Sequence, residues 1–424
     1  MGRICMIAFA HYPRDGRVRR EAEALVDRGD EVDVICIREA GEERNRLLNG
    51  VRLIQLRKLY YRGPNAVVYL AKYLLFCFAA FFWVTYLHLK NRYQIIQVHT
   101  MPDFLVFVAI IPKLLGAKVL LDVHDLMPEL YQSKFGLPET RWLIRFITWV
   151  ERQSIGFADR AIAVHKLHLD TLVKHGNPPK KFTILLNVPD PKIFSVKNEV
   201  SSRDDYGFRL LYHGTVTRRY GLSVALYAVS LLRKEISGLE FQIVGNGEDR
   251  SRLIDLVKQL DLTDCVSFSR SFVPVEQLSS IILNADVGVV PILYDDFTKL
   301  QLPVKLLEYV GLGLPVICSR TETIEAYFDD TMVQYVEAGN VDDLAQRILE
   351  LYRAPHKRKR LATNAARFNH DYNWKQQKQE YYNLIDKLAG NGHVSSKAWG
   401  RVENQRIPVV LPEKIANEQD ERAG

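Results

Sequence analysis

Lys305 and Glu308 stand three residues apart in LPVKLLEYVGLGLPVICS (302–319), and on a helix that spacing puts both on one face. At the mouth of a strand ending in VVP, such a carboxylate can accept two hydrogen bonds from a ribose diol while the ammonium meets a phosphate. A surface ion pair has the same spacing, so spacing alone leaves both readings open. A second cationic candidate is RLLYHGTVTRRYGLSVALYAVSLLRK (209–234), which runs from a strand through Gly214 and a basic loop into a helix. Free amides at a helix N-terminus, together with Arg218 or Arg219, would suit a phosphate group. Adjacent arginines are also common as solvated surface residues. One unit later, FQIVGNGEDRSRL repeats the arrangement, with Gly245, Asn246 and Gly247 at the carboxyl end of a strand. Such loops ring the ligand crevice of open α/β sheets, and tight turns need glycine too. The spacing is neither GxGxxG nor GxxxxGK, so a dinucleotide fingerprint and a P-loop are both absent.

In the first half of the chain, LLDVHDLMPELY places His124 and Asp125 just past an apolar strand. A histidine there can donate or accept a proton near neutral pH, or serve structure alone. Asp15, Gly16 and Arg17 likewise follow the first apolar run, at another strand end.

Short apolar runs alternating with helical patterns must position these residues, as in parallel sheets covered by helices. ICMIAFA, EVDVICI, VRLIQL, YQIIQVH, AKVLLDVH and RAIAVH read as strands of one domain; FRLLYHG, EFQIVG, CVSFSR, DVGVVP and PVICS read as strands of another. The predicted organisation is a Rossmann-like domain over 1–190, a linker over 191–206, and a second Rossmann-like domain over 207–370. A helix over 371–390 packs back, and a loose polar tail covers 391–424. The helix is read from FNHDYNWKQQKQEYYNLIDKLAG.

The 424 residues are 47% hydrophobic and 25% charged, which excludes a disordered or fibrous chain and fits two medium cores. Five cysteines stand far apart without a CxxC pair, so neither a disulfide scaffold nor a structural zinc site is expected. The first apolar run is short for a signal-peptide core and reads as a strand, which makes a reducing cytoplasm the expected compartment.

The net charge of +7 is unevenly placed. Between Glu43 and Asp103 there is no carboxylate, while Arg44, Arg46, Arg52, Arg57, Lys58, Arg62, Lys72, Lys90 and Arg92 fall there. The same block holds the most apolar stretch, Tyr73 to Leu87, within an expected helix of about 66–90. Fifteen helical residues rise about 22 Å, short of a hydrocarbon layer of roughly 30 Å, so a transmembrane span is not expected. An aromatic helix with basic flanks suits the headgroup region of an anionic leaflet, and a core helix has the same composition. Nucleic acid is not an expected partner, because no aromatic-basic recognition motif appears.

Together, AHYPRDGRVRREAEAL, HTMPDFLVF, LLDVHDLMPELYQSKFG, YHGTVTRRYGL, IVGNGE and LPVKLLEYVGLGLPVI resemble, in order, the family 4 glycosyltransferases that build bacterial surface polysaccharides and lipid-linked glycans. The resemblance covers roughly residues 3 to 388. It implies the GT-B architecture: two Rossmann-like domains facing across a cleft, the second holding a nucleotide sugar and the first an acceptor. It also implies retaining transfer, with a UDP-sugar as the expected donor, to a lipid-linked or polysaccharide acceptor at the cytoplasmic face of the membrane. Neither a cofactor nor a metal is implied, and no Asp-x-Asp occurs in the chain. Diphosphate charge would then be met by cations and helix ends.

By position, Glu308 matches the second acid of the family's paired-glutamate motif and is implied to hold the ribose. His124 matches the first-domain histidine near the reacting centre, with Asp125 beside it. Two departures stand out: the first acid of the motif falls at Leu300, and the phosphate loop's Arg and Lys fall near Thr215 and Tyr220. Arg218, Arg219 and Lys305 are the implied substitutes, in a subfamily that shares the PxKxxEY pattern. A nucleotide-sugar 2-epimerase on the same architecture and an inactive transferase-like membrane assembly subunit are the alternatives. The sequence does not specify an oligomeric state.

Overall fold

The computed structural model describes residues 2–39, 41–57, 66–136, 138–195, 207–269 and 273–390. The predicted tail over 391–424 and most of the predicted linker, 196–206, lie outside the described residues.

Continuous apolar runs, buried on both faces, form two parallel sheets, as such runs must when helices cover each side. The first sheet contains β1 (Arg3–Ala8), β2 (Glu31–Arg38), β3 (Asn45–Leu48), β4 (Val51–Arg57), β5 (Ile95–His99), β6 (Lys118–Val123), β7 (Arg160–Ala163) and β8 (Phe182–Ile184). Its order is β3-β4-β2-β1-β5-β6-β7-β8, with only the β3–β4 pair antiparallel. The second sheet contains β9 (Phe208–His213), β10 (Leu239–Val244), β11 (Val266–Phe268), β12 (Val287–Val290), β13 (Val316–Ser319) and β14 (Gln334–Val336), ordered β11-β10-β9-β12-β13-β14. The strands stay parallel, but the order in which they are added reverses between β1 and β5 in one sheet and between β9 and β12 in the other. A ligand crevice opens at the carboxyl side of such a switch point. Register brings Ala8, His99 and Asp122 side by side there, and His213 beside Val244.

Helix Trp374–Ala389 lies on the first sheet, with Tyr381, Leu384, Ile385 and Leu388 in the same core cluster as Met6 and Val34. The Tyr381 hydroxyl donates to Gln97 Oε1 at 2.6 Å. The residues FNHD belong instead to the preceding helix, Pro355–Asp371, and the chain breaks at Tyr372 before Asn373 caps the next helix by accepting from the Gln376 amide at 3.1 Å.

The apolar helix runs Ala66–Asn91, where it was predicted, but its apolar part is longer than the Tyr73–Leu87 stretch: Ala71–Asn91 is long and apolar enough to cross a membrane. Phe76, Ala80, Val84 and Leu87 form one buried stripe against Ile35, Ile37, Ile54 and Leu56 of the first sheet. Leu74, Leu75, Phe78, Phe82 and Tyr86 on the other side are more than half exposed. The helix is therefore a core element on one face and an uncovered apolar surface on the other.

Candidate active site

At the carboxyl end of β9, Gly214 and Gly245 approach so closely that a Cβ on Gly245 would lie 1.9 Å from the Gly214 carbonyl oxygen. Only glycine permits this contact, and it lets the two loops converge. Helix Val304–Gly311 is fastened beside them by Tyr309, whose hydroxyl accepts from the His213 amide at 3.0 Å and donates to the Leu211 carbonyl at 3.2 Å. Gly288 makes room for that ring, since a Cβ there would meet Tyr309 Cδ2 at 2.4 Å. One turn of this helix presents Lys305, and the next presents Glu308.

Lys305 is buried, with Nζ donating to the Tyr212 hydroxyl at 2.7 Å and lying 4.4 Å from the Tyr220 ring centre. Burial lowers its pKa to about 7, against a smaller upward pull from Glu308. Glu308 Oε2 lies 3.1 Å from His213 Nε2. The pair predicted from spacing thus splits: the carboxylate faces a histidine, and the amine faces two phenols.

On the first domain, the Asp15 carboxylate caps helix Gly16–Asp27, accepting from the Arg17 and Val18 amides at 3.2 and 3.0 Å. Arg17 turns inward and donates to both oxygens of Asp122, each at 2.7 Å. Asp122 is fully buried, and burial alone would raise its pKa. Arg17 and the hydrogen bonds from His124 and His99 overcome that and hold it well below the usual carboxylate range. Burial and the Asp122 charge push Glu21, 3.4 Å from Arg17, upward. His124 Nε2 lies 3.0 Å from Asp122 Oδ2, and His99 Nδ1 lies 3.1 Å from the same oxygen. Asp125 is raised by burial, with His124 and Arg219 opposing.

These walls enclose a cleft of about 900 Å³. It brings together Asp15, Gly16, Arg17, His124 and Asp125 from the first domain with Gly214, Gly245, Asn246, Lys305 and Glu308 from the second. The arginine pair is the correction. Arg218 is largely exposed and lies 3.6 Å from Asp249, while Arg219 sits over the Phe297 ring at 5.2 Å; neither lines the cleft. Their backbone forms a 3₁₀ turn that leaves Tyr220 on the cleft wall, with Arg219 behind the lining ring of Phe297.

Leu300, where the motif's first acid would fall, lines the cleft with an apolar side chain, and its carbonyl accepts from His165 Nε2 at 3.0 Å across the domains. Sequence reasoning missed His213, Tyr212, His99, His165 and Asp122. One signal was present: Asp122 and His124 are two apart at a strand end, and side chains two apart on a strand share a face.

His99, Asp122 and His124 also have the mutual spacing of a metal-ligand set. Both Asp122 oxygens already accept from the Arg17 guanidinium, so the carboxylate's charge is met by an organic cation.

Two doubly wound domains that face each other over one crevice define the GT-B class. Residues 16–187 match the glycosyl transferase 4-like domain, and residues 196–368 match glycosyl transferases group 1. The chain belongs to the family 4-type glycosyltransferases. Sucrose-phosphate synthase from Thermosynechococcus elongatus superimposes with a TM-score of 0.73 at 19% identity, covering 92% of this chain and all of the other. Anabaena HepE in complex with UDP-glucose gives 0.70 at 13% identity, covering 91% and 100%. Among curated proteins, the amylovoran biosynthesis glycosyltransferase AmsK of Erwinia amylovora is 26% identical over 192 residues, 45% of this chain and 46% of its own length. The chitobiosyldiphosphodolichol beta-mannosyltransferase of Debaryomyces hansenii is 24% identical over 257 residues, 56% and 54% of the two lengths. The chain thus spans about half the length of these curated relatives.

Proposed function

We propose that the protein is a retaining, metal-independent hexosyltransferase. It moves a sugar from a UDP-sugar to a lipid-linked or polysaccharide acceptor at the cytoplasmic face of the cell membrane. The observation that carries this reading is the cleft itself, in which Lys305 and Glu308 of one domain oppose His124 and Asp125 of the other. Glu308 accepts from the ribose hydroxyls. Lys305, which takes up a proton from solvent as the diphosphate arrives, supplies the cation that offsets charge growing on the leaving group, and the free amides at the start of helix Val304–Gly311 add to it. The Gly214 and Gly245 loops let the nucleotide approach the backbone.

The anomeric carbon loses its bond to the diphosphate and gains the acceptor oxygen on the same face. The acceptor proton passes to the departing phosphate oxygen. His124, held by Asp122, positions the sugar, and Asp125 faces the acceptor hydroxyl. HepE crystallised with UDP-glucose supports the donor, and a relative named for chitobiosyldiphosphodolichol supports a lipid-linked acceptor. The uncovered side of helix Ala66–Asn91 and the carboxylate-free basic block around it support contact with an anionic membrane.

The test is transfer from a panel of sugar nucleotides, with and without EDTA, and the product anomer read by NMR. Transfer that survives EDTA and keeps the donor's configuration is expected. An inverted product, loss of activity with EDTA, or release of an epimerised sugar nucleotide without acceptor overturns the proposal.

A further inference from the structure

Helix Trp142–Phe157 is amphipathic the wrong way round for a surface helix. Its inner side carries Ile144, Ser154, Ile155 and the buried Glu151, which is paired with His175 at 3.0 Å. Its outer side carries Trp142, Arg145, Phe146, Trp149 and Arg152, spaced as one helical face. Trp142 is 73% exposed, and the Phe146 and Trp149 rings stack on each other at 5.9 Å rather than packing into the protein. Arg141, Arg145 and Arg152 have no carboxylate partner among the described residues, and the helix has no exposed acid. The neighbouring helix Met127–Phe135 ends on exposed Lys134 and Phe135, with Glu139 in the loop that follows and Asp295 held by Ser133 at 2.7 Å. That second helix begins directly after His124 and Asp125, so its nine residues span about 14 Å from the cleft to this patch.

We infer that this face is a second membrane-binding element, in which Trp142, Phe146 and Trp149 enter the interface of an anionic bilayer while Arg145 and Arg152 meet lipid phosphates. It deepens the membrane reading above and rests on it. Interleaved indole rings and guanidinium groups match the layered chemistry of a headgroup region, apolar beneath and anionic above. A two-fold contact with a second copy would set the same arginines against one another. One short turn joins the element to helix Ala66–Asn91. Both pack against the 3₁₀ turn Asp103–Ala109, and Phe107 of that turn touches Phe157 at a ring distance of 5.3 Å. A platform built from both helices would hold the cleft mouth close to a lipid-linked acceptor.

The full chain is sedimented with phosphatidylglycerol-containing vesicles and with pure phosphatidylcholine vesicles. UDP-induced thermal shift is read in parallel as a check on folding and on donor binding. Wild type should bind the anionic vesicles, Trp142→Ser/Phe146→Ser/Trp149→Ser should bind at least tenfold more weakly, and Arg145→Gln/Arg152→Gln should lose the anionic preference, each with an unchanged UDP shift. If the serine variant does not fold, the arginine variant decides alone. Wild-type binding in both variants overturns the inference, and if Phe78→Ser/Phe82→Ser alone abolishes binding, the earlier membrane reading survives without it. A dimer mass that drops to monomer in either variant also overturns it, in favour of self-association. Absence of a UDP shift in wild type sinks the donor reading and leaves the vesicle result standing.

Discussion

The Lys305 side-chain nitrogen lies 2.7 Å from the Tyr212 hydroxyl and 4.0 Å from the centre of the same ring, in a buried slot where the hydroxyl donates its own hydrogen bond to the Thr215 carbonyl. Tyr212, Tyr220 and Gly214 face it from the second domain, and Glu308 lies one turn along its own helix. Its pKa of about 7 is depressed from the unfolded value, so between these limits the unfolded chain holds the extra proton. Stability from this group therefore rises with pH above 7 and is lost as pH falls through it.

An arriving diphosphate reverses the balance by favouring the charged amine. UDP affinity should fall as pH rises from 7 to 9, by up to tenfold per unit, with close to one proton taken up on binding. Calorimetry in buffers of different ionisation enthalpy measures this uptake, and pH-independent affinity without it would refute the assignment.

Lys305→Met should remove a buried charge that costs the empty protein stability, and with it the cation that meets the diphosphate. The melting temperature at pH 7 without ligand should rise or hold while kcat/KM falls about 10² to 10³-fold. Arg218→Ala, at an exposed side chain outside the cleft, should leave kcat/KM within about threefold. Steady-state kinetics on both variants settle the order, and the reverse ranking would restore the arginine pair as the phosphate contact.

Asp122→Asn leaves Arg17 buried with Glu21 at 3.4 Å as its nearest carboxylate. Breaking a buried pair from one side costs about 3–5 kcal/mol, and His124 loses its anchor as well. Urea titration should show that loss, and Arg17→Met/Asp122→Leu should cost less than the sum of the two single changes. The pair's contribution is present above the ordinary carboxylate range and fades as pH falls toward the lowered value of Asp122. Additive losses would show that the two side chains act independently.

Gly245→Ala drives a methyl group into the Gly214 carbonyl, so one of the two cleft loops must move. Gly313→Ala offers a control: its φ is +75°, but nothing lies within 4 Å of the added carbon. The control should cost about 1 kcal/mol for the left-handed backbone alone. Gly245→Ala should cost more and also weaken the UDP-induced thermal shift at least tenfold in ligand concentration. Equal effects on stability with intact UDP binding would remove this contact from the site.

Much of the architecture was legible because it depends on short-range rules. Apolar runs such as ICMIA and KVLLDV can satisfy their backbone and bury both faces only as central strands, and the predicted strands appear where those runs fall. The short edge strands Asn45–Leu48 and Gln334–Val336 escaped, being too brief to show a period. The glycines of the cleft were visible as loop glycines, while the contact between Gly214 and Gly245 required two strands to lie side by side.

For the cations, residue type was a poor guide. RRY looks more basic than PVK, yet Tyr220 and Lys305 line the cleft and the arginines do not. Composition and periodicity alone determined two parallel α/β domains and an apolar helix with basic flanks, because strand and helix formation answer to neighbours within a few residues, while six short motifs in order carried the family resemblance. Tertiary packing alone decided that Arg17 meets Asp122 across 105 positions and that Lys305 lies among phenols. A side chain's direction and charge state are set by the elements packed around it, which come from distant parts of the chain.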